Sequence, residues 1–144
     1  MAPQVKSWVK GALYVATDDT EAASPLTEPV DFNYDPGAND EATPYAGASV
    51  TPNVVLLPTP SLAVNYNRRA DEDVILKAAR HCRDNLTGVR WYLYVDTTNE
   101  PNAYAYGFGL VKPTVAGGAT SAIKGSATII PDYQGTWNDD LLVG

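Results

Sequence analysis

The segment VRWYLYVD, residues 89–96, is followed after a short interval by AYAYGFGLV, residues 103–111. In the first segment every second residue is apolar and points to one face: Val89, Trp91, Leu93 and Val95. Strict alternation is typical of a β-strand that is buried on one side. The interval, residues 97–102, contains an asparagine and a proline and is typical of a turn. The two segments therefore predict an antiparallel β-hairpin.

The second segment of this hairpin has one bulky face and one nearly bare face. The bulky residues are Tyr104, Tyr106, Phe108 and Leu110, and the bare ones are Ala103, Ala105, Gly107 and Gly109. A bare face allows another backbone to approach closely. It is equally compatible with a contact between subunits, and the sequence leaves both explanations open.

Further strands and a single helix flank this hairpin. Alternation or β-branched runs predict strands at residues 12–16, 49–57, 61–67 and 122–130, the second of them an edge or broken strand because of its prolines. Apolar residues at helical spacing predict one helix over residues 70–85, with Ile75, Ala78, Ala79, Cys82 and Leu86 on its buried face. The predicted fold is mainly β, an antiparallel sandwich or barrel with one flanking α-helix and a long extended loop.

The long loop is an acidic segment, residues 18–46, which we call the acidic arm. No Lys or Arg occurs from Gly11 to Asn67, whereas eight carboxylates lie between Asp18 and Glu41. Unstructured connections of this length are uncommon in compact domains and are usually functional or disordered. The arm also carries apolar and aromatic residues that a purely solvated linker would lack: Leu26, Val30, Phe32, Tyr34 and Tyr45. We expect the arm to become ordered against a neighbouring subunit.

Cations are concentrated immediately after the arm. Six of the ten basic residues lie on or around the predicted helix: Arg68, Arg69, Lys77, Arg80, Arg83 and Arg90. A solvated helix face explains them, and so does a docking surface for the acidic arm of another copy, with Arg68, Arg69, Arg80 and Arg83 as its contacts. In the second case the chain is complementary to itself, which suits head-to-tail polymerisation.

Composition argues against several classes of function. The net charge of −7 opposes nonspecific binding to nucleic acid or anionic membranes. With one cysteine, Cys82, no internal disulfide forms, and no signal-peptide or membrane-spanning run is present. The only histidine, His81, lies at the end of the predicted helix with no evident base partner. We therefore expect no enzyme activity, no cofactor, no metal site and no membrane contact.

The order of these elements resembles a known family. The resemblance rests on five segments: the strand SLAVNYN (61–67), the helix with an acidic start, the strand VRWYLY (89–94), the Tyr- and Gly-rich strand 104–111 and the closing strand SATII (126–130). This arrangement is similar to the major tail tube proteins of long-tailed bacteriophages. The resemblance implies one domain over residues 1–144, whose copies form stacked, hexameric rings around a continuous inner β-barrel through which DNA is ejected.

The resemblance also implies roles for the segments outside the core. The acidic arm would reach the adjacent ring, while Trp8 would anchor an N-terminal arm (1–10) and Trp137 a C-terminal tail (132–144). The implied partners are other copies of the chain and the tape-measure, tail terminator and baseplate proteins, with DNA as nonspecific passing cargo. The implied location is the virion tail, assembled in the host cytoplasm.

Two other classes of protein fit the same pattern. One is a different virion component, such as a tail terminator, a head–tail joining protein or a capsid decoration protein. The other is a carbohydrate-binding β-sandwich in which Tyr92, Tyr94, Tyr104 or Tyr106 stacks on sugar rings.

Overall fold

The computed structural model describes residues 10–16, 23–68, 73–117, 119–121 and 123–141. Within these ranges lie ten strands and one helix. In chain order they are β1 (Ala12–Ala16), β2 (Ser24–Pro25), β3 (Pro29–Asp35), β4 (Asn39–Ala42), β5 (Asn53–Leu56), β6 (Ser61–Asn67), α1 (Val74–Asn85), β7 (Val89–Asp96), β8 (Glu100–Ala116), β9 (Lys124–Pro131) and β10 (Trp137–Asp140). In this part of the chain no helix is long and apolar enough to cross a membrane.

Eight of the strands form one antiparallel sheet, in the order β2-β1-β7-β8-β9-β6-β3, with β10 also paired to β8. The 17-residue β8 belongs to two halves of this sheet. Its first part pairs with β7 and β10, and its part after Gly109 pairs with β9. We call β2, β1, β7, early β8 and β10 the β7 half-sheet, and late β8, β9, β6 and β3 the β9 half-sheet. The predicted class, mainly β and antiparallel with one helix, is confirmed.

The core lies between the two half-sheets and is covered by α1. Its largest fully buried side chains are Trp91, Leu13, Leu62, Ile75, Leu93, Ile129, Val64 and Val89. The bare face of β8 points into this core, because Ala103 and Ala105 are buried. A Cβ at Gly107 would overlap the carbonyl oxygen of Thr136, just before β10. Close backbone packing therefore explains the bare face.

The predicted β7–β8 hairpin is present, but β8 is longer than expected. The strand continues through Pro113 to Ala116, beyond the predicted end at residue 111. Pro113 is tolerated because late β8 pairs with β9 on one side and, among the described strands, with none on the other.

Helix α1 begins later than predicted, at Val74, and ends at Asn85, as predicted. It begins at Val74 because Asp73 is its N-cap and accepts a hydrogen bond from the Leu76 N–H at 3.0 Å. It ends because Leu86 adopts a left-handed conformation with φ of 55°. Leu86 is 85% exposed, so its assignment to the buried face is wrong. The acidic start of the predicted helix includes residues 71 and 72, which lie outside the described residues.

The acidic arm is not one extended loop, which corrects the prediction for its first half. Strand β2 pairs with β1, and β3 pairs with β6 from Pro29 to Asp35. Leu26 and Phe32 are only 7% and 6% exposed and belong to the core of their own chain. These two side chains are therefore not exposed on the arm. For Phe32 the reason is the alternation along β3, which directs its ring inward. Residues 18–22 lie outside the described residues.

The second half of the arm does leave the main sheet. Strands β4 and β5 pair only with each other, from Asn39↔Leu56 to Ala42↔Asn53. We call residues 36–60 the protruding hairpin. Its strand β5 lies within the segment 49–57, where a short edge strand was predicted.

Candidate assembly interface

A glycine, Gly37, lies where the two ends of the protruding hairpin come together. Gly37 has φ of +70°, and a Cβ there would overlap the backbone of Thr59 and Pro60. The Gly37 N–H donates to the Asp35 carboxylate at 2.8 Å, and the Thr59 N–H donates to the Gly37 carbonyl at 2.9 Å. The two ends of the hairpin are thus held together where they leave the main sheet.

Beyond its base, the protruding hairpin exposes apolar side chains beside carboxylates. Val55 and Leu57 are 86% and 87% exposed, and Tyr45, Val50 and Val54 are exposed as well. Asp40 and Glu41 on β4 lie opposite Val55 and Val54. Contiguous exposed apolar surface usually marks an interaction site. The position of Tyr45 agrees with its predicted contact role, which remains a prediction.

The β9 half-sheet has two open edges. Among the described strands, β3 pairs with β6 alone, and β8 after Leu110 pairs with β9 alone. Side chains on both edges are exposed, including the predicted contact residue Val30 on β3 and Val115 on β8. Unpaired strand edges are templates for pairing with another chain.

A groove of about 470 Å³ lies at the base of the protruding hairpin. We call it the hairpin groove; its lining residues are Tyr34, Pro36, Leu57, Pro58, Pro60, Pro131, Gly135, Trp137 and Asp139. The Trp137 Nε1–H donates to the Tyr34 hydroxyl at 2.8 Å, and the Trp137 ring packs on Trp91 at 4.5 Å. Burial raises the pKa of Tyr34, and so does the nearby carboxylate of Asp139. The predicted contact residues Tyr34 and Trp137 thus form a partly buried wall of this groove in their own chain.

Five tyrosines share the outer face of the β7 half-sheet. They are Tyr14, Tyr92, Tyr94, Tyr104 and Tyr106, all half-buried, and their contacting rings are 5.0 to 6.4 Å apart. Four of them were singled out from the sequence. Tyr14 was missed as a member: alternation on β1 places it on the face opposite Leu13 and Val15, but its pairing with Tyr92 is set by the register of β1 on β7.

The predicted cation cluster is divided between two environments. Arg68 forms an ion pair with the N-cap residue Asp73 at 3.1 Å, so it supports the start of α1. Arg80 and Arg83 lie on the exposed surface of α1, where Arg83 pairs with Asp84 at 2.9 Å. Arg69, like Trp8, lies outside the described residues. Only Arg80 and Arg83 therefore remain as described surface cations for an acidic partner from the predicted set.

His81 and Cys82, the only histidine and the only cysteine in the sequence, lie in different environments on α1. His81 contacts the amide of Asn85 at 3.2 Å on the helix surface. The Cys82 thiol is buried 3.9 Å from the Gly109 carbonyl, and burial raises its pKa. Across the described ranges, no group of three His, Cys, Asp or Glu side chains is placed to hold a metal ion.

Comparison with known proteins identifies the fold. No protein-family model and no curated protein matches the sequence. Among solved structures, the SPP1 tail tube is 15% identical with a TM-score of 0.63, over 92% of this chain and 78% of that chain. The tail of the empty GTA (gene transfer agent) particle, refined with C6 symmetry, is 8% identical with a TM-score of 0.72, over 94% and 98%.

A third solved structure is the sixfold-symmetrised baseplate of the anti-feeding prophage. A chain of it is 8% identical with a TM-score of 0.59, over 92% of this chain and 95% of that chain. At these identities the likeness is one of fold. The chain has the fold of phage tail tube proteins, as the sequence resemblance predicted.

Proposed function

We propose that this chain is a structural subunit of a phage-type tail tube and that it self-assembles into stacked sixfold rings. The observation that carries the proposal is the likeness of fold to the SPP1 tail tube and the C6 tail of the gene transfer agent, over nearly the whole chain. The open edges and the exposed protruding hairpin support it, because both are surfaces that a solitary domain would be expected to cover.

Within a ring, the β9 half-sheet supplies the lateral contact. The edge of β3 in one copy pairs with the edge of late β8 in the next, so that the four-stranded half-sheets join into a closed barrel. About 24 strands at about 4.8 Å spacing and about 40° tilt give a barrel radius of about 24 Å. Barrels with this many strands enclose an aqueous channel, as a conduit for DNA requires.

Between rings, the protruding hairpin supplies the axial contact. Its exposed Val55 and Leu57 bury apolar surface against the next ring, while Asp40 and Glu41 approach the Arg80 and Arg83 surface of α1 in another copy. Opposite charges at such a contact guide docking and make it sensitive to salt. The contact with the adjacent ring is thus assigned to residues 36–60, whereas the sequence analysis expected it from residues 18–46.

The wider assignments follow from this role. The tube is a non-enzymatic part of the virion tail, built in the host cytoplasm, and DNA passes through it without specific binding. Tape-measure, terminator and baseplate proteins are the further partners, in line with the likeness to a baseplate chain of the anti-feeding prophage.

A carbohydrate-binding module is the second candidate, because one observation favours it. The five tyrosines form a continuous platform on an outer face, and aromatic rings of this kind stack on sugars. Absence of any bound sugar on a glycan array would exclude this candidate.

Negative-stain electron microscopy of the concentrated, purified protein tests the main proposal. We expect rings or hollow tubes for the natural sequence. The double variant Val55→Asp/Leu57→Asp should remain folded, because both side chains are exposed, but should not form tubes. Tyr133→Asp is the matched control, since Tyr133 is similarly exposed but belongs to none of the proposed contact surfaces, and it should form tubes normally. Natural protein that stays monomeric at every concentration would refute the proposal.

A further inference from the structure

The hairpin groove has a defined chemistry. Four prolines, Pro36, Pro58, Pro60 and Pro131, give it stiff apolar walls. Tyr34 and Trp137 form an aromatic wall whose polar atoms already bond to each other. The carboxylate of Asp139 completes the lining. Such a groove suits a partner that presents an apolar side chain next to a cation.

Charge decides which exposed segment fits the groove. The protruding hairpin has exposed apolar side chains, but its strand β4 carries Asp40 and Glu41, which a groove containing Asp139 would repel. The corner between β9 and the preceding turn has the required combination, because Ile123 is 47% exposed and is followed by the exposed Lys124. We call these two residues the β9 corner.

The β9 corner is held firmly by its own chain. The Arg68 N–H donates to the Ile123 carbonyl at 3.0 Å, and Lys124 pairs with both Asn67 and Ala116 in the sheet. A segment fixed in this way loses little conformational freedom when it docks.

The groove and the corner lie at opposite ends of one strand. Pro131, which lines the groove, ends β9, and Lys124 begins it. Seven residue steps of about 3.3 Å separate them by about 23 Å, so the corner cannot enter the groove of its own chain. One copy stacked on another along the strand direction brings the two surfaces together.

We propose that the hairpin groove receives the β9 corner of a second copy, with Ile123 against the proline and aromatic walls and Lys124 beside Asp139. This inference rests on the proposed function, because it specifies a second contact between stacked rings. The contact joins different surfaces of identical chains, so it repeats without closing and builds an open-ended stack.

Reciprocal charge reversal tests the pairing. Asp139→Lys and Lys124→Asp should each raise the protein concentration needed for tube formation by about tenfold, because like charges then face each other. The double variant Asp139→Lys/Lys124→Asp should recover most of this loss. Lys10→Asp is the matched control, since this exposed cation precedes β1 and lies outside the proposed contacts, and it should not be rescued by Asp139→Lys.

Disulfide trapping tests proximity directly. The variant Leu57→Cys/Ile123→Cys carries one thiol in the groove and one on the corner, while the native Cys82 is buried. Oxidised tubes should give a ladder of chain multiples on a nonreducing gel. Each single variant should stop at dimers.

The outcomes separate this inference from the proposed function. Tubes that show neither charge rescue nor a ladder would overturn the inference and leave the proposed function intact. Rescue of Asp139→Lys by Lys6→Asp instead of Lys124→Asp would identify the N-terminal segment as the occupant and would also overturn it. Failure of the natural protein to form tubes would count against the proposed function itself.

Discussion

Two consecutive segments of similar composition fold differently: one is part of the main sheet and the other protrudes from it. Residues 24–35, the inner segment, and residues 36–60, the protruding hairpin, are both acidic, proline-containing and free of Lys and Arg. The inner segment adds strands to both half-sheets and contributes Leu26 and Phe32 to the core. The hairpin pairs only with itself and leaves its apolar side chains in solvent.

The difference lies in how the apolar residues are spaced. In the inner segment, Val30, Phe32 and Tyr34 alternate with Asp31, Asn33 and Asp35, so one face can be buried while the other stays polar. In the hairpin, Val54, Val55, Leu56 and Leu57 are consecutive, so both faces of β5 carry apolar groups. A strand with two apolar faces is stable in water only when both are covered, and none of the described residues covers β5. Composition alone does not separate the two cases.

The largest expected effect is on the core side of this comparison. Phe32→Ala should lower the free energy of unfolding by about 3–5 kcal/mol, because it removes a buried aromatic ring. Val55→Ala in the hairpin should change it by less than about 0.5 kcal/mol, because that side chain is exposed. Urea denaturation of both variants measures the difference. Equal losses would mean that the hairpin is packed as tightly as β3.

The junction between the two segments gives the next largest effect. Gly37→Ala should cost about 1–3 kcal/mol, because the new Cβ would overlap Thr59 and Pro60 in addition to the strain of a positive φ. Gly47→Ala is the matched control, since Gly47 also has a positive φ but has open space around its Cβ. Limited proteolysis should show earlier cleavage within residues 36–60 for Gly37→Ala. Identical behaviour of the two variants would indicate that strain alone, without the overlap, sets the cost.

Tyr34 marks the end of the inner segment and yields a smaller effect. Tyr34→Phe should cost about 1 kcal/mol, because it leaves the partly buried Trp137 Nε1–H without its acceptor. Thermal unfolding followed by tryptophan fluorescence would detect both the loss of stability and the change around Trp137. Tyr45→Phe, in the exposed hairpin, is the control. An unchanged midpoint for Tyr34→Phe would show that water replaces the lost acceptor.

The smallest expected effect is a dependence of stability on pH that arises from the ionisation of Tyr66. Tyr66, which pairs with Pro29 of the inner segment, has its pKa raised by burial and by the Asp73 carboxylate, to which its hydroxyl donates at 3.0 Å. The unfolded chain releases the tyrosine proton near pH 10 while the folded chain retains it, so stability should fall as the pH rises above about 10.

Stability curves for Tyr66→Phe test this dependence. The variant cannot ionise at this position, so the decline in its unfolding free energy above pH 10 should be shallower than that of the natural protein. Tyr45→Phe again serves as the comparison from the hairpin. A slope identical to that of the natural protein would exclude Tyr66 as a contributor.

Most regular strands were predictable because their alternation is complete. Strands β1, β6, β7 and β9 bury alternate residues along most of their length, as their sequences predict. Strand β3 was missed although the same signal is present in PVDFNYD, because the prolines and carboxylates around it suggested a loop. The end of α1 at Asn85 was predicted, but the exposure of Leu86 was missed, since nothing in Leu86 itself predicts a left-handed residue.

The candidate interface was less predictable than the fold. The hairpin groove is lined by residues from three separate segments, 34–36, 57–60 and 131–139. No local sequence pattern links segments so far apart. Exposed apolar residues such as Val55 and Leu57 carried no sign of their exposure, because alternation cannot classify a consecutive run. The aromatic residues of the arm were correctly noted, but their division between core and surface depends on strand pairing.

The sharing of β8 by both half-sheets has a consequence for unfolding. Since one continuous strand contributes to both half-sheets, neither half-sheet can detach from the other at a flexible linker. The core should therefore melt as a single cooperative unit, with the calorimetric enthalpy equal to the van't Hoff enthalpy.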